Sequence, residues 1–321
     1  MLDSKQVKSL AKECGADVVG IASMDRFEGA PKQMDPRYIF PDAKSMIVMG
    51  FRILRGTLRG IEEGTFFAPY SSMGYAGINQ VLQPMVLWRF CKFLEDEGYE
   101  AVPIHNDFPW NATYGIGYDP QQTGQVRPDW SRPVEPGKPA PDVFLHLRIA
   151  AFCAGLGQIG YSKVFLTPQF GPRQRLAAVM TDLPLAPDPL FEGELCDRCM
   201  ACVRECSGNA ISETKTVQVT VAGRQIEWGE IDFRKCSLAF CGGAKETNPF
   251  MVTPEDEKGF TDGSYGKTQH YKLPCRYEYG RAIEGARGCI RACMVHLESQ
   301  GKTGNKFAAP FRRRKPWKLD S

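Results

Sequence analysis

Four cysteines, Cys196, Cys199, Cys202 and Cys206, stand in the spacing CxxCxxCxxxC within residues 195–212. Thiolates are soft ligands, and this is the spacing of a bacterial ferredoxin-type run, in which three cysteines bind one iron-sulfur cluster and the fourth reaches a second. Structural zinc is the rival reading. It usually pairs two CxxC or Cys/His knuckles across a longer spacer, which is not the pattern here. Ser207 stands where a proline commonly follows the fourth cysteine, a change to the turn and not to the ligands. Cys236, Cys241, Cys275, Cys289 and Cys293 follow, so nine thiols lie beyond residue 195. Two 4Fe-4S clusters take eight, which leaves one to spare. Cys14, Cys91 and Cys153 stand singly among apolar residues and read as core.

A second stretch with chemical potential is AGLGQIG at 154–160, whose Gly155, Gly157 and Gly160 spell the letters of a dinucleotide fingerprint. Pro168 and Gly171 interrupt within about two turns, where that fold needs an unbroken helix. Two readings stay open: a tight turn that needs glycine dihedrals, or a close backbone approach to a flat cofactor. On the second, Gly155, Leu156, Gly157, Gly160 and Thr167 are the cofactor-binding candidates. Residues 106–142 are rich in Pro, Gly, Tyr and Trp with little periodicity, which suits an ordered lid over a substrate rather than a free linker. Of the histidines, His105, His146, His270 and His296, none lies in a DxHxxG pattern, and they read as surface or hydrogen-bonded core.

These groups need a scaffold. Val7, Leu10, Ala11 and Cys14 recur at helical spacing behind Asp3 or Ser4 and ahead of Gly15, which predicts an amphipathic helix over 4–13. DVVGI at 17–21 and SMIVMGFR at 45–52 suit strands buried on both faces. Ile78, Val81, Leu82, Met85, Trp88 and Leu94 predict a helix between Gly77 and Gly98, and strands are expected at 101–104 and 175–183. Residues 184–195 look like a hinge, placing a boundary near 190. In all, 321 residues with 43% apolar content and a net charge of +3 describe an ordinary globular chain with no global pull toward nucleic acid or an anionic membrane. No apolar run reaches the 18 or so residues of a spanning helix, and the start lacks an export signal, so a cytoplasmic protein is expected. The tail from Lys302 carries seven Lys or Arg before Asp320 and reads as a solvated basic end.

The order of these pieces resembles the cobalamin-dependent reductive dehalogenases and the related epoxyqueuosine reductases. The resemblance rests on GADVVGIASMDRF at 15–27, GYAGINQVL and LEDEGYEAVP within 74–103, HND at 105–107, AGLGQIG with LTPQFGPRQRLAAVMTDLPL through 185, the cysteine run, and WGEIDFRKC at 228–236. It implies an α/β (α+β) fold: a nitroreductase-like domain over 1–190 that binds base-off cobalamin and substrate, then a small ferredoxin-like domain over 191–321 with two 4Fe-4S clusters and the basic tail. By that resemblance Cys196, Cys199, Cys202 and Cys293 hold one cluster, and Cys206, Cys236 and Cys289 supply three ligands of the other. Ala286 occupies the position where the family's second motif begins with a cysteine, so the eighth ligand comes from elsewhere. Cys275 is favoured over Cys241 because it approaches the same segment from its N-terminal side.

The family's chemistry implies a low-potential cluster that reduces cobalt, and an acid that delivers a proton as a bond to a leaving atom breaks. A phenol beside a cation suits that acid. Tyr75 with Asn106 and Lys163 is the candidate catalytic set, and Asp142 lies close to where epoxyqueuosine reductases place an acid. Tyr161 replaces a basic residue often found after the GLG turn, with Lys163 as its substitute. The expected partners are a small or aromatic substrate and a low-potential donor such as ferredoxin or flavodoxin; a homodimer is compatible with the pattern. The alternatives are an iron-sulfur carrier that reduces a corrinoid or other metal protein, and a tRNA-modifying enzyme, the latter disfavoured because little chain follows the last cysteine.

Overall fold

The computed structural model describes residues 2–63, 65, 68–106, 133–140, 143–240, 288–304 and 307–311. Most of the expected lid (107–132 and 141–142, with Asp142), together with Cys241, His270, Cys275 and the tail beyond 311, lies outside the described residues.

The chain opens on α1, Ser4–Cys14. Asp3 accepts the Gln6 amide at 2.8 Å while Gln6 returns a bond to the Asp3 amide at 2.9 Å, a capping box worth about 1 kcal/mol. Strands β1 (Val18–Ser23), β2 (Ser45–Arg52), β3 (Ala101–Ile104) and β6 (Gln174–Thr181) form one sheet in the order β1-β2-β6-β3, antiparallel at every pair. Successive side chains of a strand point to opposite faces. Ile47, Met49, Phe51, Ala177 and Val179 therefore enter one core with α1 and the helices that precede β3 in sequence. Met46, Val48, Leu176, Ala178 and Met180 enter a second core with α4, Leu147–Cys153. Two cores on one sheet explain why β2 is apolar along almost its whole length.

Between β2 and β3 a short helix α2, Arg59–Glu63, precedes a π-helix, Tyr70–Leu82, that runs directly into α3, Gln83–Asp96. Pro84 lies at the first turn of α3 and has no N–H to give, so the ordinary ladder cannot pass through the junction. Wide winding of this kind is uncommon and often marks a functional segment. β4 (Gln158–Ile159) and β5 (Phe165–Leu166) pair as a small ribbon between α4 and β6.

Beyond residue 190, α5 (Ala201–Arg204) follows the first cysteines, and β7 (Ile211–Val221) and β8 (Arg224–Ile231) form a hairpin. Its turn places Ala222 and Gly223 at φ 49° and 69°, the mirror-image geometry that matches strand twist. α6 (Phe233–Phe240) and α7 (Cys289–Ser299) complete the described elements. Val221 and Trp228 join the second core, and Ile290, Met294 and Phe311 join the first. Residues 184–195, read as a hinge, are pinned at Asp188: its carboxylate accepts the Ile21 amide at 2.9 Å and Lys8 Nζ at 2.6 Å, and its carbonyl accepts from Arg26 at 2.8 Å. No described helix is long and apolar enough to cross a membrane.

Candidate metal centre

The loop before α5 turns sharply, with Arg198 and Met200 in left-handed backbone at φ 57° and 59°. That winding brings Cys196, Cys199 and Cys202 around a small cavity that is also lined by Cys293 from α7. Cys289 and Cys293 are one turn apart on α7, and Cys202 and Cys206 are four residues apart on the facing segment. The two helical stretches meet closely: a Cβ on Gly288 would lie 2.7 Å from the Glu205 carbonyl. Each stretch thereby sends one thiol to the first cavity and one to a second group. That second group contains Cys206, Cys236 and Cys289, whose charges act on one another.

Burial pushes the Cys202 thiol up to about 11 and Cys289 up to about 12, with neighbouring sulfurs adding to both, and raises Cys236 and Cys293 by the same causes. Crowded thiols without a cation hold their protons, and binding a metal or cluster must release them. Backbone amides already point at sulfur: Tyr161 donates to Cys196 Sγ at 3.3 Å, and Ala210 donates to Cys206 Sγ at 3.4 Å. Amides aimed at sulfur and two groups of thiols fit iron-sulfur clusters as the donor set. At the rim of the first cavity, Asp197 accepts from His296 at 2.8 Å and from Gln300 at 3.0 Å. Burial alone would raise the Asp197 carboxyl; those two bonds outweigh it and hold it at about 2. Asp197, Cys199 and His296 also have ligand atoms within 4.8 Å of one another, a trio able to take a single cation.

On the far side of Cys289 lies the π-helix. Tyr75 stacks edge-on against Phe240 of α6 at 5.3 Å, and the Arg175 guanidinium lies 4.4 Å from the Tyr75 ring centre. Arg175 also donates to the buried Tyr70 hydroxyl at 2.8 Å, and its Nε is buried with no hydrogen-bond partner among the described residues. Asn106 is held from the same helical surface, its amide N–H on Gln83 Oε1 at 2.9 Å and its Nδ2 on Asn79 Oδ1 at 3.4 Å. Tyr75, Asn79 and Gln83 recur every four residues, so one stripe carries Tyr75 and grips Asn106. Lys163 is 4% exposed, with Nζ 5.2 Å from the centres of both the Trp228 and Phe233 rings. Arg175 is the residue sequence reasoning missed; its place in an apolar strand beside a GPRQR segment is a signal that only the pairing of β6 with its neighbours makes readable.

The glycine turn is committed to the protein's own backbone. Gly155 and Gly157 have φ of 70° and 159°, and a Cβ there would lie 2.0 Å from the Pro189 carbonyl and 1.9 Å from the Leu166 carbonyl. Gly160 closes the turn by accepting the Lys163 amide at 2.8 Å. Thr167 is fully buried, its hydroxyl donating to Gln174 at 2.9 Å and accepting the Phe170 amide at 3.2 Å. Leu156 packs against the second core. Gly157, Gly160 and Thr167 are buried, while Gly155 and Leu156 are half-buried.

No protein-family profile matches the chain. A stretch of 113 residues is 38% identical to the tetrachloroethene reductive dehalogenase of Sulfurospirillum multivorans, covering 30% of this chain and 22% of that protein. A stretch of 69 residues is 46% identical to the tetrachloroethene reductive dehalogenase of Desulfitobacterium hafniense, covering 21% and 12%. Among solved structures, the catabolic reductive dehalogenase NpRdhA in complex with 3-bromo-4-hydroxybenzoic acid superposes on 80% of this chain and 33% of that one, with a TM-score of 0.51 at 20% identity. An epoxyqueuosine reductase bound to a modified tRNA stem loop aligns with 93% of this chain at a TM-score of 0.48 and 13% identity. The resemblance read from the sequence is thus found in part of the chain, and the mixed α/β fold is similar to that of a reductive dehalogenase. The matched stretch spans about a fifth of the first of these relatives.

Proposed function

We propose that the chain is an iron-sulfur reductase of the reductive dehalogenase kind, in which two 4Fe-4S clusters pass electrons toward a reducible group beside Tyr75 and Arg175. The observation that carries this is the sorting of seven described cysteines into two groups, Cys196, Cys199, Cys202 and Cys293 around one cavity and Cys206, Cys236 and Cys289 beside it. Cys275 is proposed as the eighth ligand. Residues up to about 190 would supply the substrate side and the remainder the clusters.

Reductive cleavage of a carbon–halogen bond consumes two electrons and one proton and releases a hydrocarbon and a halide. The clusters supply electrons singly. Tyr75 is proposed to supply the proton, since a phenol is neutral near pH 7 and transfers a proton on demand when a base develops within reach. Arg175 would hold the Tyr75 ring and stabilise negative charge on an incoming or departing anion, to which its buried Nε–H would donate. Asn106, fixed by Gln83 and Asn79, would orient the substrate, and Asp142 is the alternative acid. Cobalamin, when bound, would supply a Co(I) nucleophile. The glycine turn packs on the Pro189 and Leu166 carbonyls on its Cβ side.

The packing of that turn on the protein's own backbone favours one other reading, an iron-sulfur carrier that passes electrons to a corrinoid or metal held by a second protein. Anaerobic reconstitution with iron and sulfide, followed by hydroxocobalamin under reducing conditions, separates the two. Stoichiometric corrinoid binding, with halide released from 3-bromo-4-hydroxybenzoate or tetrachloroethene using reduced methyl viologen as donor, supports the reductase. Eight irons with neither corrinoid binding nor halide release supports the carrier.

A further inference from the structure

α3 has two unlike faces. Gln83, Val86, Phe90 and Leu94 are buried, and Gln83 holds the Asn106 amide from that side. Across the helix, Val81, Met85 and Trp88 follow one another at spacings of four and three residues, and Lys92 and Glu95 continue the alternation. That is the period of a coiled-coil seam. The seam nevertheless faces outward: Val81 is 57% exposed, Met85 54% and Trp88 66%, and Leu82 and Met73 are exposed as well. Lys92 lies over Trp88, its Nζ 5.8 Å from the ring centre, and still leaves most of the tryptophan open. Together these side chains offer about 500 Å² of apolar surface, in the range of the largest patch on a monomer, which is often functional.

We propose that this seam joins two copies of the chain, packed antiparallel about a two-fold axis that passes between Met85 and Trp88. A standard interface takes about 800 Å² from each partner, and an apolar centre of about 500 Å² inside a charged rim is its ordinary composition. Charge selects the occupant and the direction. Arg89 and Lys92 stand close in sequence to Glu95, Asp96 and Glu97, all exposed, so the rim carries both signs. Mixed signs suit a self-complementary contact better than an anionic membrane. A parallel pair would set Lys92 against its own copy, and Glu95 likewise. The antiparallel pair separates those like charges, lays Met85 on Trp88 of the partner subunit, and runs the apolar stem of Lys92 toward Val81 of the partner subunit with the ammonium left at the rim. Such a contact braces α3 from behind while its other face holds Asn106. It stands independently of the cluster and reductase readings.

The test is sedimentation velocity on the full chain, prepared anaerobically, from about 1 to 100 μM, with iron content and circular dichroism read on the same samples. The parent chain should sediment as a concentration-dependent dimer. Trp88→Glu should weaken association by about thirtyfold or more, the loss typical of an interface hot spot, with iron content and circular dichroism unchanged. Met85→Glu should act in the same direction and carries the test if Trp88→Glu fails to fold. Trp88→Phe keeps an aromatic ring at the seam and should stay closer to the parent. A parent chain that is monomeric throughout overturns the proposal, as does a dimer that persists unweakened in the glutamate variants. Vesicles of phosphatidylcholine and phosphatidylglycerol supply the last arm: cosedimentation of a monomeric parent chain, lost in Trp88→Glu, assigns the face to a lipid surface and overturns the proposal.

Discussion

The Arg175 guanidinium lies 4.4 Å from the centre of the Tyr75 ring, and one of its amines donates to the Tyr70 hydroxyl at 2.8 Å. A strand residue thereby ties together two tyrosines from the π-helix, five positions apart. Tyr75→Phe keeps the ring and its contacts with Arg175 and Phe240 while removing the transferable proton. Iron content should be unchanged and halide release should drop by roughly a hundredfold or more. Undiminished release in this variant would make Tyr75 structural and move the search for the acid to Asp142.

Anaerobically prepared protein should contain about eight irons and eight sulfides. Cys275→Ala should lose half of that content and Cys241→Ala should not; reversed effects would exchange the two ligand assignments. About one zinc per chain in place of iron would point instead to the Asp197, Cys199 and His296 trio.

His146 caps α4 by accepting the Ile149 amide at 3.3 Å, between the rings of Phe144 and Trp228. Burial, then the charges of Lys163 and Arg148, push its basicity well below the ordinary histidine value of 6.5. The unfolded chain therefore binds a proton that the folded chain refuses. No penalty applies above pH 6.5, and stability falls as pH drops below it, by roughly 1 kcal/mol at pH 5.5. His146→Asn keeps a capping oxygen and has nothing to titrate, so urea unfolding at pH 5.5 and 7.5 should show a smaller difference than in the parent chain. An equal difference would mean that His146 is charged in the folded state.

Gly157→Ala would place a methyl group 1.9 Å from the Leu166 carbonyl at φ 159°. Destabilisation of at least about 2 kcal/mol is expected in denaturant unfolding. A stability within about 0.5 kcal/mol of the parent chain would mean that β4, β5 and the turn readily move apart.

The cysteine run was readable because ligand spacing is a local property. Three or four residues set which thiols can share a metal, and no long-range contact is needed to see it. The first helix and the strands at 45–52 and 101–104 were equally local, fixed by Asp3, by unbroken apolar runs and by Pro103 near a strand end. Antiparallel pairing was not readable, because a strand buried on both faces looks the same whichever way its neighbours run. The hairpin β7–β8 had a signal that passed unused: Val217, Val219 and Val221 alternate before Ala222–Gly223, and Ile226 and Trp228 alternate after it.

The sequence by itself determined that this chain carries four closely spaced cysteines, five more beyond them, and a glycine turn with left-handed demands, since spacing and backbone sterics are properties of neighbours. Only the tertiary structure decided what those features face. It filled the turn with the carbonyls of Pro189 and Leu166, and set Lys163 over Trp228 and Phe233. It also brought Arg175 to Tyr75 across about a hundred residues of chain. Such contacts depend on how both cores pack against the two faces of one sheet, which no window of local sequence contains.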